Sequence, residues 1–260
     1  MKNSIIYIIV FWGLQAAATL IIKALWELLG GTTDMTVMKL VAITVTFSVA
    51  VIAVFLLARW AEVSPHWLRT RPWMVLFWSV VAALGTLLPS VWLQELLPEM
   101  PNLVEDELKM ILGNRWGYLS IGLLAPLAEE VVFRGAILRT LLGNDGTASA
   151  GYRPAVAITL SAVFFAVAHL NPPQMLHAFL IGLLLGWMYW RTGSILPGMA
   201  FHWANNTVAY VGYNLFPGQE DAKLSELFGG SQLHIMMALL FSLMILLPAL
   251  YQLNIWMKKG

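Results

Sequence analysis

Apolar runs of about span length alternate with short polar breaks along almost the whole chain. They predict eight helical spans, at about 4–29, 37–60, 73–97, 116–142, 154–170, 173–190, 195–214 and 232–257. A helix needs roughly 20 mainly apolar residues to cross a bilayer, and most of these runs come close to or exceed that length. The breaks carry residues that interrupt helices: Gly30-Gly31, Pro65, Pro72, Pro98, Pro101, Gly143 to Gly146, Pro172-Pro173, Gly193 and Pro217-Gly218. Only Asn171-Pro172-Pro173 separates the fifth run from the sixth, and both are short. The first run continues from Ile5 to Leu29 with no small-residue cleavage pattern. It is therefore expected to be a retained helix and not a signal peptide. The fold expected from the pattern is an all-α, polytopic transmembrane helix bundle.

Composition agrees with that expectation. Hydrophobic residues make up 59% of the 260 and charged residues 11%, against about 25% charged in an ordinary soluble domain. Mean hydropathy is +0.74. A net charge of +1 with no Lys/Arg run offers nothing to a nucleic acid. With no Cys in the chain, disulfides, thiolate metal sites and a Cys nucleophile are excluded. Twelve Trp and seven Tyr suit two interfacial aromatic belts.

Loop charge sets an expected orientation. With the N-terminus inside, the inner segments hold Lys2, Arg59, Arg69, Arg71, Arg139, Arg153, Arg191, Lys258 and Lys259. The outer ones hold Lys39, Lys109, Arg115 and Lys223, together with the acidic groups Glu105-Asp106-Glu107 and Glu220-Asp221. Lys and Arg concentrate on the cytoplasmic side of membrane proteins. Eight spans then bring both termini to the cytoplasm.

A few side chains break the apolar pattern. An ionisable group at bilayer depth costs about 2.5–3.5 kcal/mol on insertion scales and marks function by default. The fourth span carries Glu129, Glu130 and Arg134. Glu130 and Arg134, four residues apart, share a helix face and can pair. Glu129 points about 100° away and stays free for another partner. The fifth span carries Phe165 and His169, and the seventh carries His202, Asn205 and Asn206. Lipid rejects each of these polar groups singly, so the helices are expected to gather them inside the bundle. His177 in the sixth span reads as helix packing, and Gly182 with Gly186 as a close helix contact.

A carboxylate, two imidazoles and a carboxamide are sufficient for peptide hydrolysis. Glu129 can take a proton from water while His169 holds the same water. His202 and Asn206 can donate to a tetrahedral oxyanion, at roughly 3–4 kcal/mol per donor. An alternative scheme has Glu129, His169 and His202 ligating zinc, which would acidify the water instead. The residues alone leave both schemes open.

At these positions the chain resembles the CAAX prenyl protease type II and bacteriocin-processing family, also called CPBP or Abi. The first family motif, Glu-Glu-x-x-x-Arg, stands here as Glu129 to Arg134. Phe-x-x-x-His stands as Phe165 to His169, and His-x-x-x-Asn as His202 to Asn206. The resemblance covers roughly 116–214. It implies a core of four spans there, after N-terminal helices in 1–115 and before an outer loop and last helix in 215–260. It also implies an intramembrane endopeptidase in which Glu129 and His169 activate water and His202 and Asn206 stabilise the oxyanion. Glu130, Arg134 and Phe165 would support them, with zinc or no cofactor at all. The implied substrate is a peptide or membrane-associated protein, and the implied location is the membrane, in a bacterium the inner one.

Other protease classes lack their residues. There is no His-Glu-x-x-His, no Asp within a span, and Gly193-Ser194-Ile195-Leu196 is not a rhomboid-type serine context. Two readings without hydrolysis remain. One is a secondary transporter with a buried Glu/Arg/His relay, although no inverted repeat is visible. The other is a non-catalytic immunity or scaffold protein that keeps the fold.

Overall fold

A computed structural model describes residues 1–63, 72–144, 151–218 and 222–257. Pro65, Arg69, Arg71, Gly146, Glu220, Asp221, Lys258 and Lys259, used above as breaks and loop charges, lie outside the described residues. Among the described residues every regular element is helical. The chain runs α1 (Lys2–Leu28), α2 (Val37–Leu57), α3 (Trp73–Glu95) and the short α4 (Glu105–Leu112). It continues through a composite α5 (118–141), α6 (Pro154–Ala168), α7 (Pro172–Thr192) and α8 (Leu196–Leu215). The one-turn α9 (Leu224–Leu227) and the long α10 (Gln232–Trp256) complete it.

Eight of these helices lie where the apolar runs predict them. Four of the eight, α1, α2, α3 and α10, are long and apolar enough to cross a membrane. Local sequence explains their ends. Thr36 accepts a hydrogen bond from the Lys39 amide at the start of α2, and Ser231 accepts one from the His234 amide at the start of α10. Pro154, Pro172 and Pro197 sit in the first turns of α6, α7 and α8, where a missing N–H costs nothing. Gly193 closes α7 in the left-handed conformation at φ +62°, which only glycine adopts freely.

Two features depart from the sequence expectation. The acidic cluster expected in an outer loop opens a helix, α4, where three carboxylates suit the positive end of the dipole. Lys39, expected as an outer loop charge, is fully buried. Its ammonium donates to the Thr32 and Asp34 carbonyls, each at 2.7 Å, and so closes the α1–α2 turn. Burying a Lys becomes tolerable when fixed carbonyl dipoles replace its water.

Apolar side chains form two cores. One joins α1, α2, α5 and α6 around Phe11, Phe55, Phe133 and Phe165. The other joins α3, α7, α8 and α10 around Leu185, Met188, Phe201 and Leu253. Gly182 and Gly186 let α7 lie directly on α6, because a Cβ at either position would come within about 3 Å of Ala162 or Ile158. Where the two cores meet, α5, α6, α7 and α8 enclose the polar residues.

Candidate active site

α5 is not a uniform α-helix. Tyr118–Leu124 and Val131–Leu138 are π-helical, and Ala125–Glu130 between them is α-helical. The Ala125 amide reaches back five residues to the Ser120 carbonyl, and the Arg139 amide does the same to Arg134. The wider turns free carbonyls for side chains of other helices, a distortion that often accompanies functional sites. The Ile121 carbonyl, for example, accepts from the Asn206 amide at 3.0 Å. Nothing in the residue pattern announces the π turns.

Glu130 and Arg134 are both fully buried and pair at 2.9 Å, as their spacing predicts. Arg134 also donates to the Gly182 carbonyl at 3.3 Å and stacks its guanidinium 4.4 Å from the Phe165 ring centroid. A desolvated cation–π contact of this kind contributes about 2 kcal/mol. The second Glu130 oxygen lies against the start of α8. A Cβ on Gly198 would stand 2.6 Å from it, so glycine is what lets the backbone approach.

His202 connects the two carboxylates. Its Nδ1 is 3.3 Å from Glu130 Oε1 and its Nε2 is 3.6 Å from Glu129 Oε2. Glu130 therefore does more than pair with Arg134, since it also orients an imidazole. Glu129 keeps 20% of its side chain exposed, while that of Glu130 has none. His169 follows the last turn of α6, and its Nδ1 lies 2.8 Å from the Phe165 carbonyl. A carbonyl can only accept, so Nδ1 carries the proton and a neutral ring keeps a lone pair on Nε2. Phe165 meets both imidazoles edge-on, His169 at 4.9 Å and His202 at 5.7 Å between centroids.

Glu129, Phe165, His169, His202 and Asn206 line one cavity of about 320 Å³, and Glu130 and Arg134 lie behind its wall. Leu108 and Leu112 place α4 on the same cavity. α6 has 15 residues and rises about 22 Å, less than the ~30 Å thickness of a hydrocarbon core, and His169 follows directly at its end. Asn171 is fully enclosed, accepting from the Leu103 amide and donating to the Asn102 side chain, both at 3.0 Å.

Several residues of the cavity wall, Gln174 among them, lie outside the expected set. His177, expected as packing, and Asn205, one position from the expected Asn206, both face the cavity. A signal for them was present in the spacing. Gln174, His177, Ala178 and Ile181 form one helical stripe on α7, and His202, Asn205, Asn206 and Ala209 form another on α8. Among the described residues no group of three His, Cys, Asp or Glu side chains is placed to hold a metal ion.

No curated protein and no solved structure gives a significant match to the chain. Residues 112–208 match the family described as type II CAAX prenyl endopeptidase Rce1-like. The match runs from the end of α4 into α8 and includes Glu129, Glu130, Arg134, Phe165, His169, His177, His202, Asn205 and Asn206. Over that stretch, somewhat over a third of its length, the chain is similar to CAAX-type proteases.

Proposed function

We propose that this protein is a multi-pass endopeptidase that hydrolyses a membrane-associated peptide or protein in the cavity between α5, α6, α7 and α8. The observation that carries the reading is the meeting of Glu129 with His202, and of both with His169 and Asn206, around one partly open space. Residues 116–214 form the catalytic core, with 1–115 and 215–260 supplying the surrounding membrane helices. Eight crossings with both termini in the cytoplasm satisfy the loop charges, and the inner membrane of a bacterium is the proposed location.

In the proposed reaction Glu129 takes a proton from water, and the His169 Nε2 lone pair accepts the second water hydrogen and aligns the oxygen. Attack on the peptide carbonyl creates an oxyanion. One amide proton of Asn206 is held by Ile121, which fixes the amide plane. The other is free to donate to the oxyanion. His202 donates from Nε2 when that nitrogen is protonated, and the Glu130 carboxylate then compensates the ring charge. A buried carboxylate serves a catalytic His in the same way in Ser-His-Asp sites. When the tetrahedral species collapses, the C–N bond breaks and Glu129 returns its proton to the departing amine.

The test is cleavage of a peptide library by the purified protein in proteoliposomes. Wild type should cleave with or without a chelator, and His202→Ala should lower kcat by roughly 10²–10³-fold. Solute uptake that is lost in His202→Ala, with no cleavage by either protein, would transfer the site to a transporter. Cleavage lost on chelation and restored by zinc would overturn the water-activation scheme.

A further inference from the structure

Beside the motif residues, three helices contribute a second polar row. Ser90 Oγ on α3 makes a short hydrogen bond to His177 Nδ1 on α7, and His177 Nε2 lies 3.2 Å from Asn205 Nδ2 on α8. The direction of the row follows from its chemistry. An amide nitrogen can only donate, so His177 Nε2 accepts, and the neutral ring carries its proton on Nδ1 and gives it to Ser90 Oγ. The Asn205 amide is thereby fixed with its oxygen on the other side. Asn205 is 7% exposed, and its Oδ1 is buried with no hydrogen-bond partner among the described residues. The residue lines the cavity that holds Glu129 and His202.

Leaving a buried acceptor without a donor is costly, and a binding site can recover that loss from its ligand. Extended peptide presents N–H donors along its backbone, and the apolar Ala178 and Ile181 line the same cavity. We propose that Asn205, oriented by the Ser90–His177 pair, is a substrate-binding residue whose Oδ1 accepts one backbone N–H of the bound peptide. The inference rests on the protease reading and adds to it: recognition of main chain, independent of side-chain sequence, on the wall formed by α7 and α8. Ser90 and His177 are positioning residues, since they act through Asn205.

The probe is the best-cleaved decapeptide from a degenerate library, remade as analogues each N-methylated at one backbone amide. For one analogue, wild-type kcat/KM should fall about tenfold, the size of one hydrogen bond. Asn205→Ala should raise KM about tenfold with little change in kcat, and that same analogue should then lose nothing further. Ser90→Ala, outside the cavity wall, should show the same amide preference weakened about threefold. Equal N-methyl penalties in wild type and Asn205→Ala at every position would overturn the proposal, as expected if Oδ1 holds only water. Wild-type kinetics in Asn205→Ala, with Glu129→Gln inactive, would sink this inference and leave the protease reading standing. A wild type that cleaves no library member, or a Glu129→Gln that cleaves normally, would remove both.

Discussion

Glu129→Gln is expected to abolish cleavage while leaving the protein folded. The side chain keeps its length and hydrogen-bonding capacity but can no longer take a proton from water. The loss should be roughly 10²–10⁴-fold in kcat, the usual contribution of a general base. Stability should hold because Glu129 retains 20% exposure and its basic neighbour is the His202 imidazole at 3.6 Å. An amide at that position leaves no charge stranded in the interior. Turnover and thermal unfolding of the same purified preparation check both halves. A Gln variant that cleaves at the wild-type rate would remove Glu129 from the chemistry, and one that unfolds would make it structural.

The neighbouring carboxylate should behave in the opposite way. Arg134→Met leaves Glu130 fully buried without its guanidinium, and removing one partner of a buried pair costs about 3–5 kcal/mol. The change also removes the stacking on Phe165 and the bond to the Gly182 carbonyl. Replacing both partners, as Glu130→Gln with Arg134→Met, should recover much of that stability, because no charge then remains to be desolvated. Activity should not recover, since His202 Nδ1 loses the carboxylate that orients it. Denaturant unfolding and cleavage rates of the two single variants and the double variant give the cycle. Additive losses of stability would mean that the pair does not act as a unit. Full activity in the double variant would mean that Glu130 has no influence on His202.

The contrast between these adjacent residues was partly legible in the sequence. Four-residue spacing announced the Glu130–Arg134 pair and left Glu129 without a partner on its own helix, and side-chain exposure follows the same division. The hydropathy pattern also located the eight long helices, because lipid and core impose one requirement on long segments. Three things were not legible. The π turns of α5 depend on carbonyls finding donors in another helix, as Ile121 finds Asn206. The link from His202 to Glu130 depends on how closely α8 approaches α5, which Gly198 permits but does not advertise. Lys39 counted as a loop charge because sequence does not reveal that the preceding turn aims its carbonyls at the ammonium.

Thiol labelling tests most directly whether these helices enclose a water-filled catalytic cavity, and the chain's lack of cysteine makes it clean. Ala125 lines the cavity one turn before Glu129, whereas Val163 is 41% exposed on the outer surface of α6. In intact proteoliposomes, Ala125→Cys should react with a charged, water-soluble thiol reagent and lose peptide cleavage in step with labelling. Val163→Cys should stay unlabelled and active. An Ala125→Cys protein that resists the reagent, or that is fully labelled and still cleaves at its original rate, would contradict the account.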